Sequence, residues 1–136
     1  MWLITLTDTE DRHVSFHARV SGQPYVSRGY PVIPTDVVNN QGNAFDPTTG
    51  KFTVPVNGTY FFAATTSSGT RRGVANAEIV VDGTMICRIQ FSVNYEIGSC
   101  QAVTSLHIGQ VVWLRCFGGT YYFNGPATTL TGFLIS

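Results

Sequence analysis

The sequence is short of charge and nearly devoid of lysine. Aspartate, glutamate, lysine and arginine make up 12% of its 136 residues, about half the usual share of roughly 25%. Lysine occurs once, at Lys51, and the formal net charge is zero. The chain therefore carries no electrostatic footprint for nucleic acid or an anionic membrane. A surface this poor in charge suggests that another subunit covers part of it. No apolar run reaches the roughly 20 residues that cross a bilayer as a helix, which argues against membrane insertion. Met1 to Leu6 (MWLITL) is short for the apolar region of a secretion signal, and acidic residues follow at once. Cys87, Cys100 and Cys116 lack any C-x-x-C spacing, so a zinc or thioredoxin-type site has no support. The odd count permits one disulfide and one leftover thiol. H-E-x-x-H, G-x-S-x-G and Walker patterns are also missing, so the chain is expected not to be an enzyme.

No segment sustains a helical period. What is present is a series of short β-rich runs separated by turn signals, the pattern of a sandwich or barrel. In Val14 to Val20 (VSFHARV), Val14, Phe16 and Ala18 share one face and His17 takes the other. A Pro- and Gly-containing stretch follows, Ser21 to Thr35. Val54 to Thr59 (VPVNGT) reads as a strand end, a tight Asn57-Gly58 turn and a new strand. Thr59 to Thr65 (TYFFAAT) is apolar on both faces, so both should be covered. Ala77 to Val81 and Thr84 to Phe91 flank Asp82-Gly83, a type I′ hairpin signal. Cys100 to Leu106 and Val111 to Cys116 read as a further hairpin through Ile108-Gly109, and Thr128 to Ser136 is the last strand. Parity and height in that last hairpin place Cys100 and Cys116 together and inward. They predict a Cys100–Cys116 disulfide, with Cys87 buried and free.

The run from Asn40 to Phe62 (NQGNAFDPTTGKFTVPVNGTYFF) resembles the signature of the C1q globular-head domain: an Asn, an aromatic five residues on, an aromatic seven later, then Gly-x-Tyr-x-Phe. Asn40, Phe45, Phe52, Gly58, Tyr60 and Phe62 occupy those places. Val14 to Arg19 resembles the family's first strand, Leu106 to Leu114 its penultimate hairpin and Thr131 to Ile135 its last strand. Pro34, Ala64 and Gln110 depart from the pattern. The resemblance covers residues 14–136 and implies an all-β, ten-stranded jelly-roll sandwich of two packed sheets, assembled as a homotrimer or a closely related heterotrimer. It implies one C1q-like domain over residues 1–136, with 1–13 as an N-terminal extension or a first short strand, and a secreted, extracellular protein. The sequence contains no collagen-like Gly-X-Y repeat, and in that respect it is similar to the stand-alone heads of invertebrates, notably molluscs. Many of these bind sugars in innate immunity.

Signature aromatics report packing, so candidate chemistry has to come from the loops. The family strand order places Ser21–Thr35, Ser67–Gly73, Asn94–Ser99 and Phe117–Ala127 at one end, with the turns near Gly58, Gly83 and Gly109 and both termini at the other. Phe117 to Pro126 (FGGTYYFNGP) joins three adjacent aromatics to glycines and an Asn. Aromatic rings pack against sugar C–H faces and amides hydrogen-bond hydroxyl or acetamido groups. Tyr121, Tyr122 and Asn124 are therefore candidate carbohydrate ligands, with packing under the loop or at a subunit contact as the competing use of the same rings. Arg71 and Arg72, in a Gly-flanked loop, would suit an acidic sugar such as sialic acid, and Tyr95 sits at the same end. Loop carboxylates Asp36, Asp46 and Glu96 could help hold calcium, or could simply form turns; no cofactor is called for. His13, His17 and His107 are separated and read as surface or interface residues. Asn57-Gly-Thr59 matches the N-glycosylation sequon. Two functions compete: a lectin-like pattern-recognition protein for N-acetylated or sialic sugars, and a cytokine-like protein ligand, which the architecture shared with the tumour necrosis factor superfamily permits.

Overall fold

The computed structural model describes residues 13–67, 74–91 and 96–136, which contain twelve strands and no helix. One sheet has the spatial order β3 (Asp36–Gln41), β1 (Ser15–Arg19), β12 (Thr129–Leu134), β6 (Gly58–Ser67), β9 (Ile97–Leu106). The other runs β4 (Phe45–Asp46), β5 (Lys51–Thr53), β10 (Val111–Cys116), β7 (Ala77–Val81), β8 (Thr84–Ile89). The ten strands of the expected jelly roll are these two antiparallel sheets. A two-stranded ribbon, β2 (Tyr25–Val26) with β11 (Tyr121–Tyr122), is additional.

Alternation drives the layering, because successive strand side chains point to opposite faces. Phe16 and Ala18 of β1, Tyr60, Phe62 and Ala64 of β6, and Val112 and Leu114 of β10 are buried. Phe16 stacks on Phe45 at 4.8 Å and on Phe52 at 5.0 Å, and Phe52 meets Phe62 at 5.8 Å. Phe16 and Phe62 come from the first sheet, Phe45 and Phe52 from the second, so the signature aromatics join the two layers. Each such ring contributes about 1.5–3 kcal/mol by leaving water. Gly132 of β12 leaves room for them, since a Cβ there would lie 2.6 Å from ring atoms of both Phe16 and Phe62. At the turn end the connections bind one another. Asn57 Oδ1 accepts the Ile108 amide at 2.8 Å, Gly109 N–H donates to the Val54 carbonyl, and Asp82 accepts from Gln110 and the Val111 amide.

Three expectations need correction. Cys100 to Leu106 and Val111 to Cys116 are not a hairpin. β9 pairs with β6 over its whole length, and β10 lies between β5 and β7 in the other sheet. The disulfide is accordingly Cys87–Cys100, with Cα atoms 5.8 Å apart, and Cys116 is the buried free thiol. Cys100 and Cys116 both face inward, as parity requires, but from opposite layers of a sandwich about 10 Å thick, beyond the roughly 7 Å Cα limit of a disulfide. Cys87 reaches Cys100 because β8 and β9 are the neighbouring edges of the two sheets. Its inward aim comes from a bulge: Val80 pairs with Met85 but Ile79 with Cys87, leaving Ile86 as an extra residue. Finally, Asn57-Gly58 is not a hairpin turn. β5 and β6 lie in different sheets, and Gly58 is not among the positive-φ residues, whereas Asp82 (φ 49°) and Gly83 (φ 83°) form the expected β7–β8 turn.

Candidate functional site at the loop end

Two long connections, Ser21–Thr35 and Phe117–Ala127, meet at the end opposite the tight turns. Backbone hydrogen bonds bind them to each other: Phe123 N–H donates to the Pro24 carbonyl at 3.0 Å and Gly125 N–H to the Gly22 carbonyl at 2.8 Å. Within this double layer, β2 and β11 pair Tyr121 with Val26 and Tyr122 with Tyr25. Phe123 is completely buried beneath it. A loop held by strand pairing and an aromatic anchor presents its remaining side chains at low entropic cost.

The ribbon separates the candidate aromatics by function. Tyr121 is half-buried, meets Phe123 edge-on at 6.5 Å, and its hydroxyl accepts a hydrogen bond from Asn76 Nδ2 at 3.3 Å. Asn76 in turn accepts the Phe91 amide at 2.9 Å. Tyr121 thus ties the loop to the sandwich. Tyr122 turns to the other side, where its ring lies 4.4 Å from that of Tyr25, a residue 62% exposed. The Asn124 backbone carbonyl accepts the Thr128 amide, while its side-chain amide has no partner among the described residues. Tyr25 was missed in the sequence because Pro24-Tyr25-Val26 shows no strand pattern. The available signal was an aromatic in each of two loops expected at one end. Arg71, Arg72 and Tyr95 lie outside the described residues.

Val26, on the opposite face of the ribbon from Tyr25, borders a cavity of about 560 Å³ walled by Pro24, Pro31, Ile33 and Pro47. The loop carboxylates are engaged locally. Asp36 pairs with Arg19 at 2.8 Å, and Asp46 accepts the side-chain and backbone donors of Thr48, which hold its carboxyl below the usual range. Among the described residues no three His, Cys, Asp or Glu side chains gather as metal ligands. Among the described residues no helix is long and apolar enough to cross a membrane. His17 shares a short contact with the Thr131 hydroxyl, Nδ1 to Oγ1 2.6 Å, on the outer face of the first sheet.

Two packed antiparallel sheets with long paired connections at one end define a jelly-roll module of the C1q and tumour necrosis factor type. The C1q domain profile matches residues 15–135, and the chain belongs to the C1q domain family. It is 33% identical over 112 residues to multimerin-1 of Mus musculus, a match covering 77% of this chain and 9% of that protein. The chain therefore spans less than a tenth of the length of the curated relatives it matches. Among solved structures, the globular domain of zebrafish complement 1qA superposes with a TM-score of 0.73, 21% identity, and 90% and 98% of the two chains covered. Murine APRIL gives a TM-score of 0.68 at 14% identity over 88% and 96%. Both show the shared fold.

Proposed function

We propose that this chain is a secreted, non-catalytic recognition head that works as a trimer and binds carbohydrate at its loop end. The observation that carries the reading is the Tyr25–Tyr122 pair, two rings 4.4 Å apart on paired loops, with Asn124 two residues further along the same connection and its side-chain amide without a partner among the described residues. Pyranose C–H faces pack on such rings, and the amide suits a hydroxyl or acetamido group. Arg71, Arg72 and Tyr95 remain proposed contributors at the same end. The trimer is supported by the outer face of the first sheet, where strand register aligns Phe133, Phe61 and Val103 in one row. Phe61 and Phe133 are in contact at 5.0 Å, and Val103 is 63% exposed. An apolar row running across β12 and β6 to the edge strand β9 is the kind of surface that a second copy covers, and a trimer would raise the avidity of weak single-sugar contacts. The Cys87–Cys100 disulfide fits an oxidising, extracellular setting.

A glycan array tests the reading. Binding should be lost in Tyr25→Ala and Tyr122→Ala proteins that keep wild-type mass and circular dichroism. Unchanged binding in both variants places the site elsewhere. The competing reading, a protein ligand for a cell-surface receptor, draws on the fold shared with murine APRIL. It is favoured by an array without hits together with saturable binding to cells.

A further inference from the structure

The outer face of the second sheet holds a cluster of charge that the loop-end site does not use. The chain has eight basic and eight acidic residues, and four of these, Arg28, Glu78, Arg88 and Arg115, line one cavity of about 360 Å³. Its remaining walls are Gly29, Phe117 and Gly118, with Cys116 beneath. Strand register builds the cluster, since Glu78 of β7 lies opposite Arg88 of β8 and Arg115 of β10.

Glu78 acts as the internal scaffold. Its side chain is 4% exposed. Oε1 accepts from Arg88 Nε at 2.9 Å and Nη2 at 2.7 Å, and Oε2 accepts from Arg115 Nε at 2.8 Å and Nη2 at 2.6 Å. Both carboxylate oxygens are occupied from the sides, and the two guanidiniums are fixed. Arg88 also lies over the Phe117 ring at 4.1 Å, and Arg115 Nη1 donates to the Gly83 carbonyl at 3.0 Å. Arg28 stands exposed at the rim with no hydrogen bond or ion pair among the described residues. Three guanidiniums against one carboxylate leave two positive charges in a concave wall.

We propose that this cavity is a binding site for a single oxyanion group, sulfate ester or carboxylate, carried by an acidic saccharide. The saccharide as carrier rests on the carbohydrate reading above; the anion site does not. Guanidinium forks match the oxygens of such groups, and fixed donors bind with less entropic loss. Arg28 would close onto the ligand from the rim, while the free N–H groups of Arg88 complete the cradle. The Phe117–Ala127 connection joins the two sites: Phe117 and Gly118 wall the cavity and Tyr122 belongs to the ring pair. Gly118 also lies next to Tyr121, a Cβ there falling 3.5 Å from its hydroxyl.

The test uses N-acetylglucosamine 6-sulfate, N-acetylglucosamine and inorganic sulfate on the intact chain. Calorimetry should show the sulfated sugar binding about tenfold more tightly than the neutral one. The advantage should shrink as salt rises from about 50 to about 500 mM and disappear in Arg28→Ala, with neutral-sugar affinity unchanged. Arg28→Ala removes a partnerless exposed side chain, so the fold should survive; Arg28→Lys should restore part of the advantage. Equal affinity for the two sugars, or an advantage that survives Arg28→Ala, overturns the proposal. If neither sugar binds, inorganic sulfate decides separately. Shifts in the NMR signals of the Arg28, Arg88 and Arg115 guanidiniums uphold the anion site while the carbohydrate reading fails. Unmoved signals overturn the anion site as well.

Discussion

On the outer face of the first sheet, register sets Phe133, Phe61 and Val103 side by side, with His17, Thr131, Ala63 and Gln101 in the next row. On the outer face of the second sheet it sets Arg88, Glu78 and Arg115 side by side, and Lys51 of β5 lies over Trp113 of β10 at 5.3 Å. Both faces arise from the same two-residue alternation over a shared core. Covering the first costs little desolvation and gains about 25 cal/mol for each Å² of apolar surface removed from water. Covering the second would strip water from several charges, at a cost of several kcal/mol per ion unless each is matched. The first face suits another copy of the chain, and the second suits a small charged ligand.

The contrast can be broken from either side. The largest effect is expected from Phe61→Glu, which places a carboxylate in the middle of the apolar row. Light scattering should show the assembly reduced to single chains, with the circular dichroism of the folded sandwich retained; an intact trimer would mean that the row is not the contact. Next comes Cys87→Ala/Cys100→Ala, which unties the edges joining the two sheets. A cross-link spanning 13 residues contributes about 3 kcal/mol by restricting the unfolded chain, to be read from urea unfolding. Arg115→Ala should cost about 2 kcal/mol, because Glu78 Oε2 loses its donors in a nearly closed site. Replacing the whole triad, Arg88→Met/Glu78→Leu/Arg115→Met, should recover that loss.

The smallest effect concerns the layer beneath the charged face. Burial pushes the Cys116 thiol up to about 11 from its ordinary 9.0, against a backbone hydrogen bond at Tyr121 that lowers it. The native protein should resist iodoacetamide at pH 8. The folded pKa is the higher one, so this group's contribution to stability is complete below pH 9 and is lost between pH 9 and about 11, where the unfolded thiol ionises first. Rapid labelling at neutral pH would show the positive cavity acting on the core as well as on solvent.

Much of the fold was legible in the residues. Phe16, Phe45, Phe52, Tyr60 and Phe62 were readable as core because burial follows alternation along each strand. Asp82-Gly83 was readable as a hairpin because the backbone conformation that the turn needs is supplied locally. The failures share a cause. The connections at Asn57-Gly58 and Ile108-Gly109 look like hairpin turns, yet each passes from one sheet to the other, and the local signal is the same for both outcomes. Tyr121 and Tyr122 looked equivalent until pairing with Val26 and Tyr25 turned one inward and the other toward solvent.

The residues alone determined that this chain forms short strands, which side of most strands faces inward, and that large aromatics fill the space between. These depend on periods of two and on turn preferences acting over a few neighbours. Only the tertiary structure decided which strands are neighbours. With that came the Cys87–Cys100 bond, the Tyr25–Tyr122 pair and the gathering of Arg28, Glu78, Arg88 and Arg115 around one cavity. The residues in each of these groups lie between 10 and 97 positions apart in the chain. Strand alternation specifies a direction for each side chain but no partner, so such meetings are set by the packing of whole sheets.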